Sequence, residues 1–589
     1  MKRYIIVALF ALCTAFAQSK KYEGPEDSAG DIAAEREGYM TGNRVFLYFR
    51  NTTELSDWPK SNVSRWPNNL DGLKMVDGIG LLVGAKVYIK DDPTTRIDST
   101  VVTDRNIIEN GEDLHELYYL QTSYREEMDV NPAGTFEYGF YPAFGYFNET
   151  GEYPAMSNRP SSWPVNGWPS VGRETKWPGE WDGRFGRGVI YADMETYFVV
   201  NDAQDQEYLE LPDRVRYYPR KGKKIGDIND KVTIGLGNPW GGLGLRVEAR
   251  GFQWNNPQAR DAIFWEYNIA NISDYDLTEV AFGYWVDNAI GDDGSDELAF
   301  FDTDLDMSYS WDINGIGKGG LPTGTMGFAY LESPGVPYDD IDNDKDGLLN
   351  EKRDNVAVNK VGPTDGIHNL QDFLAFYRLT EDDLKEHWDA DEDQDWEDGE
   401  DLNGDGIYSE SEFFGDDIGL DGVAPGELNY TGPDEGEGNH RPDYVEGVGC
   451  EPNFAETDVS ESDMIGLTSF RLFPVPSHSQ SNQTWWFKND QAMWDLIGEN
   501  VLEEYIENIS NLIEIFASGP FPLYRGRSER ISMAELHSFD PLEGLNSSDH
   551  TAPSLYELKK IVQVIYEKDY RFAQPPKMPT LTATPADGK

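Results

Sequence analysis

Basic residues are scarce in this chain. Its 589 residues carry 49 Lys or Arg against 107 Asp or Glu, a formal charge of −58. So negative a polypeptide repels phosphate, which excludes nucleic acid as a main partner. Cysteine is scarcer still, with two in all. Cys13 lies in a leader-like segment, so Cys450 has no partner for an intramolecular disulfide. Exported proteins commonly rely on disulfides; this one must be held by a large core or by metal. The seven histidines are scattered and form no His-Glu-x-x-His pair. The nucleophile elbow and the phosphate loop are also missing. Gly235-Leu236-Gly237 runs into Asn238-Pro239-Trp240-Gly241, a turn rather than a dinucleotide fingerprint. Cys450 has no base near it in sequence and reads as inert. Two carboxylates suffice for a glycosidase, and Asp193 with Glu195, or Glu266 beside Asn268, share strand faces. Among 107 acids such pairs arise by chance, so no catalytic residue is nominated.

Long apolar runs are missing as well, and no segment is suited to a membrane helix. The one short run, Ile5 to Thr14, follows Lys2 and Arg3 and precedes Ala15-Phe16-Ala17. This is the pattern of a secretion signal cleaved before Gln18, so residues 1–17 read as signal peptide and 18–41 as a flexible linker. A lipoprotein reading through Cys13 fits less well, because Leu12 is large for the residue before a lipidated cysteine. The expected location is extracellular or at the cell surface. Nothing in the sequence speaks to the oligomeric state.

What the chain has in excess is local acid. Residues 335–465 hold 39 Asp or Glu and 7 Lys or Arg, a net of −32 out of −58. Within this tract Asp401-Leu402-Asn403-Gly404-Asp405-Gly406-Ile407-Tyr408-Ser409-Glu410-Ser411-Glu412 has the spacing of a twelve-residue, EF-hand-like calcium loop. Asp401, Asn403 and Asp405 offer side-chain oxygens, and Gly406 permits the sharp turn. Ile407 offers its carbonyl, Ser409 a hydroxyl or bridging water, and Glu412 a bidentate carboxylate. A second acidic run, with Asp342, Asp344, Asp346 and Glu351, alternates acids before a glycine. It resembles the short calcium repeats of thrombospondin type 3 or dockerin modules. Asp389 to Asp395, and the group Asp416, Asp417, Asp421, Asp434 and Glu435, extend the pattern. Two like charges about 4 Å apart repel by about 4 kcal/mol at an effective dielectric near 20. Bound Ca2+ offsets that repulsion and becomes part of the folding free energy. The aromatics Trp388, Trp396, Phe413, Phe414 and Tyr430 argue for order rather than an acidic disordered tail. No amphipathic helices flank the loop, so it reads as a structural staple and not a sensor. Asp287 to Asp296, with Asp302, Asp304 and Asp306, is a further possible cation loop or a solvated surface loop.

Residues 42–334 alternate apolar and polar positions between Gly, Pro and Asp turns. Ile263, Trp265, Tyr267 and Ile269 share one face, as do Val280, Phe282, Tyr284 and Val286. Arg44 to Arg50, Ile79 to Lys90, Gly188 to Val200, Val232 to Ala249 and Met326 to Leu331 are further expected strands. No helical periodicity appears before Asn369. After the acidic insertion (335–465), strands are expected at Met464 to Val475, Asn511 to Ala517 and Glu529 to His537. Helices are expected at Gln491 to Asn508 and Leu555 to Tyr570, the latter capped by Ser554 with Glu557. The expected fold is mainly β: an antiparallel, jelly-roll-like β-sandwich with an acidic calcium-loop insertion and a few peripheral helices. Residues 466–574 would complete the sandwich or pack on it. Residues 575–589 begin with a stiff Pro-rich linker and end in a stretch like the first strand of a fibronectin type III module.

Tryptophan is abundant, with five Trp-Pro pairs. Trp163, Trp168, Trp177 and Trp181 fall in a Pro/Gly/Trp-rich loop. Exposed, such rings would stack on sugars and make glycans the partner. Buried, they would pin the loop to the sandwich, which is the larger energetic gain.

Asp416-Asp417-Ile418-Gly419-Leu420-Asp421-Gly422, Glu451 to Asp458, Glu461 to Thr468, Tyr284 to Asp296, Ser518 to Leu523 and Val562 to Pro576 together resemble a family of uncharacterised secreted proteins of Bacteroidetes-related and Marinimicrobia-like bacteria. The resemblance runs from about Gly42 onward. It implies cargo of the type nine secretion route, whose members carry a C-terminal sorting domain not present here. It brings no activity with it. The expected function is a non-catalytic binding or adhesion role toward glycans or surface proteins. The alternative is a carbohydrate-binding or glycoside-hydrolysing protein that uses the Trp-rich loop.

Overall fold

The computed structural model describes most of residues 30–335 and 464–570, with a few short stretches between them. Besides gaps of five residues or fewer, it leaves out 1–29, 90–100, 125–138, 165–176, 203–215, 218–239, 336–359, 362–370, 372–379, 389–443, 451–463, 475–489, 504–509 and 571–589.

Two antiparallel sheets face each other. The larger has nine strands, in the order Glu297–Asp302, Met307–Asp312, Thr325–Glu332, Ser528–Ser538, Ala262–Asn271, Leu245–Gln253, Met194–Asn201 and Tyr141–Pro142, with Ala155–Met156 also on Met194–Asn201. The smaller has six, in the order Ser469–Pro474, Leu512–Leu523, Leu277–Asn288, Val76–Ile89 and Val101–Val102, with His115–Thr122 also on Val76–Ile89. Glu37–Met40, Phe46–Arg50 and Ser64–Arg65 form a three-stranded flap. The flap joins the smaller sheet through bridges at Leu55 to Phe49 and Ile79.

The period-two alternation sets the layers. Ile263, Trp265, Tyr267 and Ile269 point into a shared core with Val280, Phe282, Tyr284 and Val286 from the opposite sheet. The hydroxyls of Tyr267 and Tyr284 meet there at 2.6 Å, which satisfies two buried polar groups at once. Opposite Trp265 stands Gly251; a Cβ there would lie 2.8 Å from the indole. Only glycine lets the ring lie against the neighbouring strand.

The outer faces are covered too. Met493, Trp494 and Ile497 of the helix Asp490–Ile497 pack on Leu82, Trp285 and Ile515 of the smaller sheet. Leu555, Val562, Ile565 and Tyr566 of the helix Pro553–Glu567 cover Phe264, Leu331 and Leu536 of the larger one. The result is helix, sheet, sheet, helix. It explains why several strands read as nearly continuous apolar runs: both their faces are buried.

Several expectations need adjusting. Ser554 does not cap the last helix. The helix begins at Pro553, and the Ser554 amide donates to Asp540 Oδ1 at 2.7 Å, so the cap comes from a distant residue. The preceding helix ends at Ile497 rather than Asn508, where Gly498 and the positive-φ Asn500 stop it. Val501 and Glu503 then run beside Phe470, exchanging backbone bonds of 3.0 Å each. A short helix, Arg105–Asn110, precedes Asn369. The strands Ser528–Ser538 and Leu512–Leu523 lie inside the two sheets, not at their edges. After the acidic insertion, the strands therefore complete the two sheets while the two helices pack on their outer faces.

Candidate functional site

The calcium-loop residues Asp401, Asn403, Asp405, Ile407, Ser409 and Glu412 lie outside the described residues, as do Asp342, Asp344, Asp346 and Glu351. What is described is the neck from which that segment departs. Gly335 pairs with Met464. The Ile465 amide donates to Pro334 O at 3.0 Å, and the Gly466 amide to Ser333 Oγ at 2.9 Å. Gly466 has φ +63°, and a Cβ there would stand 2.9 Å from Asp306 Oδ2. The Asp306 carboxyl accepts from the Leu467 amide at 3.3 Å. Burial raises its pKa, while that amide and the charge of Lys559 act in the opposite direction. Lys559 and Gln563 of the last helix hold the carbonyls of Tyr330 and Leu331 at 3.1 and 3.2 Å. The exit and the return of residues 336–463 are thus one hydrogen bond apart and clamped to the body.

Among the described residues of the loop from Asp287 to Asp296 and its neighbours, no three metal-ligating side chains converge. Asp292 is neutralised by Lys74 at 3.4 Å and Lys318 at 2.5 Å. Asp296 accepts from Asn314 at 2.5 Å. Asp302 turns onto the Leu305 amide at 3.1 Å. Strands Glu297–Asp302 and Met307–Asp312, which the sequence pattern did not reveal, space these acids apart. Asp293 and Asp304 lie outside the described residues.

The carboxylate pairs are committed as well. Glu195, 1% exposed, accepts from Trp181 Nε1 and from the amides of Tyr191 and Ala192 at 2.6, 2.6 and 2.8 Å. Asp193 accepts from the Asn255 amide at 2.7 Å. Glu266 is paired with Arg184 at 2.7 Å. These acids hold loops in place.

The tryptophans point inward. Trp177 and Trp181 are 3% and 1% exposed, and they gather with Tyr197, Tyr146 and the half-buried Trp163. Ring centroids lie 5.6 Å apart for Trp177 and Trp181, and 5.8 Å for Trp163 and Trp181. Such rings offer no face to a sugar. Trp168 lies outside the described residues. The nest does have one outward consequence. Trp163 Nε1 donates to Met156 O at 2.8 Å, which fixes the turn that follows Met156.

That turn forms one wall of a surface cleft of 410 Å³, within the roughly 300–1,000 Å³ range of ligand pockets. Its floor is apolar: Phe46, Met156 and Met194 are 7%, 4% and 6% exposed. The Met194 sulfur accepts from the Thr41 amide at 3.3 Å. One wall is Tyr39, which faces solvent because β-alternation buries its neighbours Gly38 and Met40. Its ring is backed by Phe46 and Tyr48, both at 5.6 Å. Opposite are Tyr153 and Arg159, whose guanidinium carbon sits 3.7 Å from the tyrosine ring centre. Asn62 and Asn158 complete the rim. Sequence reasoning missed this cleft. Its residues span positions 39 to 194, and no spacing rule links them; the turn-like Ser157-Asn158-Arg159-Pro160 is the only local signal.

No protein-family model and no curated protein matches the chain. No helix among the described residues is long and apolar enough to cross a membrane.

Proposed function

We propose that this chain is a secreted, calcium-stabilised binding protein of the cell surface or its surroundings, acting by adhesion rather than by catalysis. The observation that carries the reading is the closed neck at Ser333–Gly335 and Met464–Gly466. The segment between those two points carries 39 acids against 7 bases, and like-charge repulsion on that scale opposes its folding. Divalent ions at the Asp401–Glu412 loop and the Asp342–Glu351 run would offset the repulsion and order the segment. Placed on a rigid four-layer body, an ordered excursion and a cleft are the parts of a binding protein. The tryptophans serve that body, so the reading in which Trp177 and Trp181 grip a glycan loses its support.

Calorimetry on the full chain tests the calcium half. Calcium should bind and raise the thermal transition of the excursion, with about 2.7 kcal/mol of stabilisation at a hundredfold excess over Kd. Asp401→Ala combined with Glu412→Ala should reduce affinity and stability together. Identical transitions for variant and parent, with and without chelator, would overturn it.

A further inference from the structure

We propose that the cleft between Tyr39 and Tyr153 is a subsite for a negatively charged sugar, a pyranose bearing a carboxylate or sulfate, with Arg159 as the anion ligand. The assignment rests on the reading of the chain as a binding protein and gives that reading a ligand class.

Charge makes the first argument. Several cations in this part of the body are held by acids: Arg44 by Asp261, Arg50 by Glu54 and Asp57, Lys60 by Glu37, Lys74 by Asp77; others, Arg36, Arg65 and Arg250, donate to the oxygens of Gly151, Asn68 and Asp182. Arg159 is different. Among the described residues its guanidinium enters no ion pair, and the described lining of the cleft contains no Asp or Glu. In a chain with 107 acids, a cation at an acid-free pocket mouth marks where an external anion is accepted. Stacking on Tyr153 at 3.7 Å occupies the face of the guanidinium and leaves its N–H edge for a bidentate anion.

Shape makes the second. Tyr39 is 39% exposed yet braced from behind by Phe46 and Tyr48. A braced, exposed ring is suited to the C–H face of a pyranose and loses little freedom on binding. The sealed floor of Phe46, Met156 and Met194 excludes water beneath it. The amides of Asn62 and Asn158, both at the exposed rim, can donate to and accept from ring hydroxyls. An apolar floor, an aromatic wall, paired amides and one free cation together match an acidic sugar better than a neutral one.

The test is titration of the full chain, in calcium, with a polyuronate, a sulfated galactan and uncharged dextran. Binding to either charged polymer and not to dextran is expected, and the polymer that binds identifies the anion. Arg159→Ala should weaken binding about 10- to 100-fold, as loss of a charge-assisted bond does. Arg159→Lys should restore only part of it, and Tyr39→Ala should weaken it about tenfold. Both sites are at the surface, so the melting temperatures of all three variants should stay at the parent value. Asp401→Ala with Glu412→Ala should leave sugar affinity unchanged. If that double variant loses binding while Arg159→Ala keeps it, the sugar is held by calcium on the excursion: the cleft assignment falls and the binding reading stands. Equal binding to dextran, or binding to none of the polymers, overturns the cleft assignment.

Discussion

Residues 42–334 and 466–570 bury apolar side chains on both faces of both sheets, with helices closing the outer layers. Residues 336–463 begin and end at one neck and carry most of the acid surplus. Among the body's described residues, buried acids such as Glu195, Glu266, Glu332 and Glu514 are held by arginine, backbone amides or neighbouring side chains. The excursion has 7 bases for its 39 acids. One polypeptide thus contains a region limited by packing and a region limited by charge. The same substitution or change of buffer should move the two in different ways.

The largest separation is expected from Arg530→Met. Glu332 is fully buried, and Arg530 Nε donates to its two oxygens at 3.2 and 2.9 Å. Ser532 and Tyr566 donate to the same carboxylate. Removing the arginine leaves a buried charge without its counter-ion, a loss of about 3–5 kcal/mol. Urea denaturation should show that drop in the body, and it should be the same in calcium and in chelator. Lys560→Ala, which removes an exposed pair with Glu557, should change nothing measurable. A drop for Arg530→Met that disappears in calcium would mean the two regions share one folding transition.

The sequence made the layered core legible and left much else dark, for a physical reason. Alternation in Ile263–Ile269 and Val280–Val286 marks inward faces directly, because a pleated strand has a fixed period. The twelve-residue spacing at Asp401–Glu412 is equally local, and its nomination as a metal loop needed only the chain itself. The cleft needed the fold. Tyr39, Asn62, Tyr153 and Arg159 come together because the flap Glu37–Arg50 lies beside the turn that Trp163 ties to Met156. Tryptophan was ambiguous for the opposite reason. Abundance in a Pro-rich loop fits both an exposed platform and a buried nest, and only the placement of Glu195 beneath Trp181 separates them. The strands Glu297–Asp302 and Met307–Asp312 were hidden by the acids at their ends.

A smaller effect separates the regions by pH. Burial pushes the Glu297 carboxyl up to about 8, against two backbone amides that pull it down. The same conflict puts Asp202 at about 7. Each group holds a proton in the folded body that the unfolded chain has released. Their contribution is fully present below the unfolded carboxylate range and is lost as pH rises through the folded value. Between about pH 5 and 8 the body should lose up to about 1.4 kcal/mol of stability per pH unit for each group. Calcium binding on the excursion runs the other way, since its ligands must be ionised. Glu297→Gln should flatten the slope near pH 7–8, at a constant cost of about 1–3 kcal/mol for the amide bond it cannot reproduce. Unfolding curves in saturating calcium read both quantities. An unchanged slope in the variant would place the titration elsewhere.

The smallest expected effect lies where the two regions touch. The helix Pro553–Glu567 clamps the last carbonyls before the neck through Lys559 and Gln563. Its first turn is held by Asp540, whose Oδ1 accepts the Ser554 amide and whose Oδ2 accepts the Ser538 hydroxyl. Asp540→Ala removes this borrowed cap and should cost about 1 kcal/mol, the ordinary value of a capping side chain. Ser554→Ala should cost almost nothing, because the Ser554 backbone makes the contact and its side chain is exposed. That pair of variants compares directly the cap read from local sequence with the one the fold supplies. If the clamp only steadies the body, calcium affinity should be the same in both. A loss of affinity in Asp540→Ala alone would show that the helix passes order through the neck, and that charge and packing are coupled there after all.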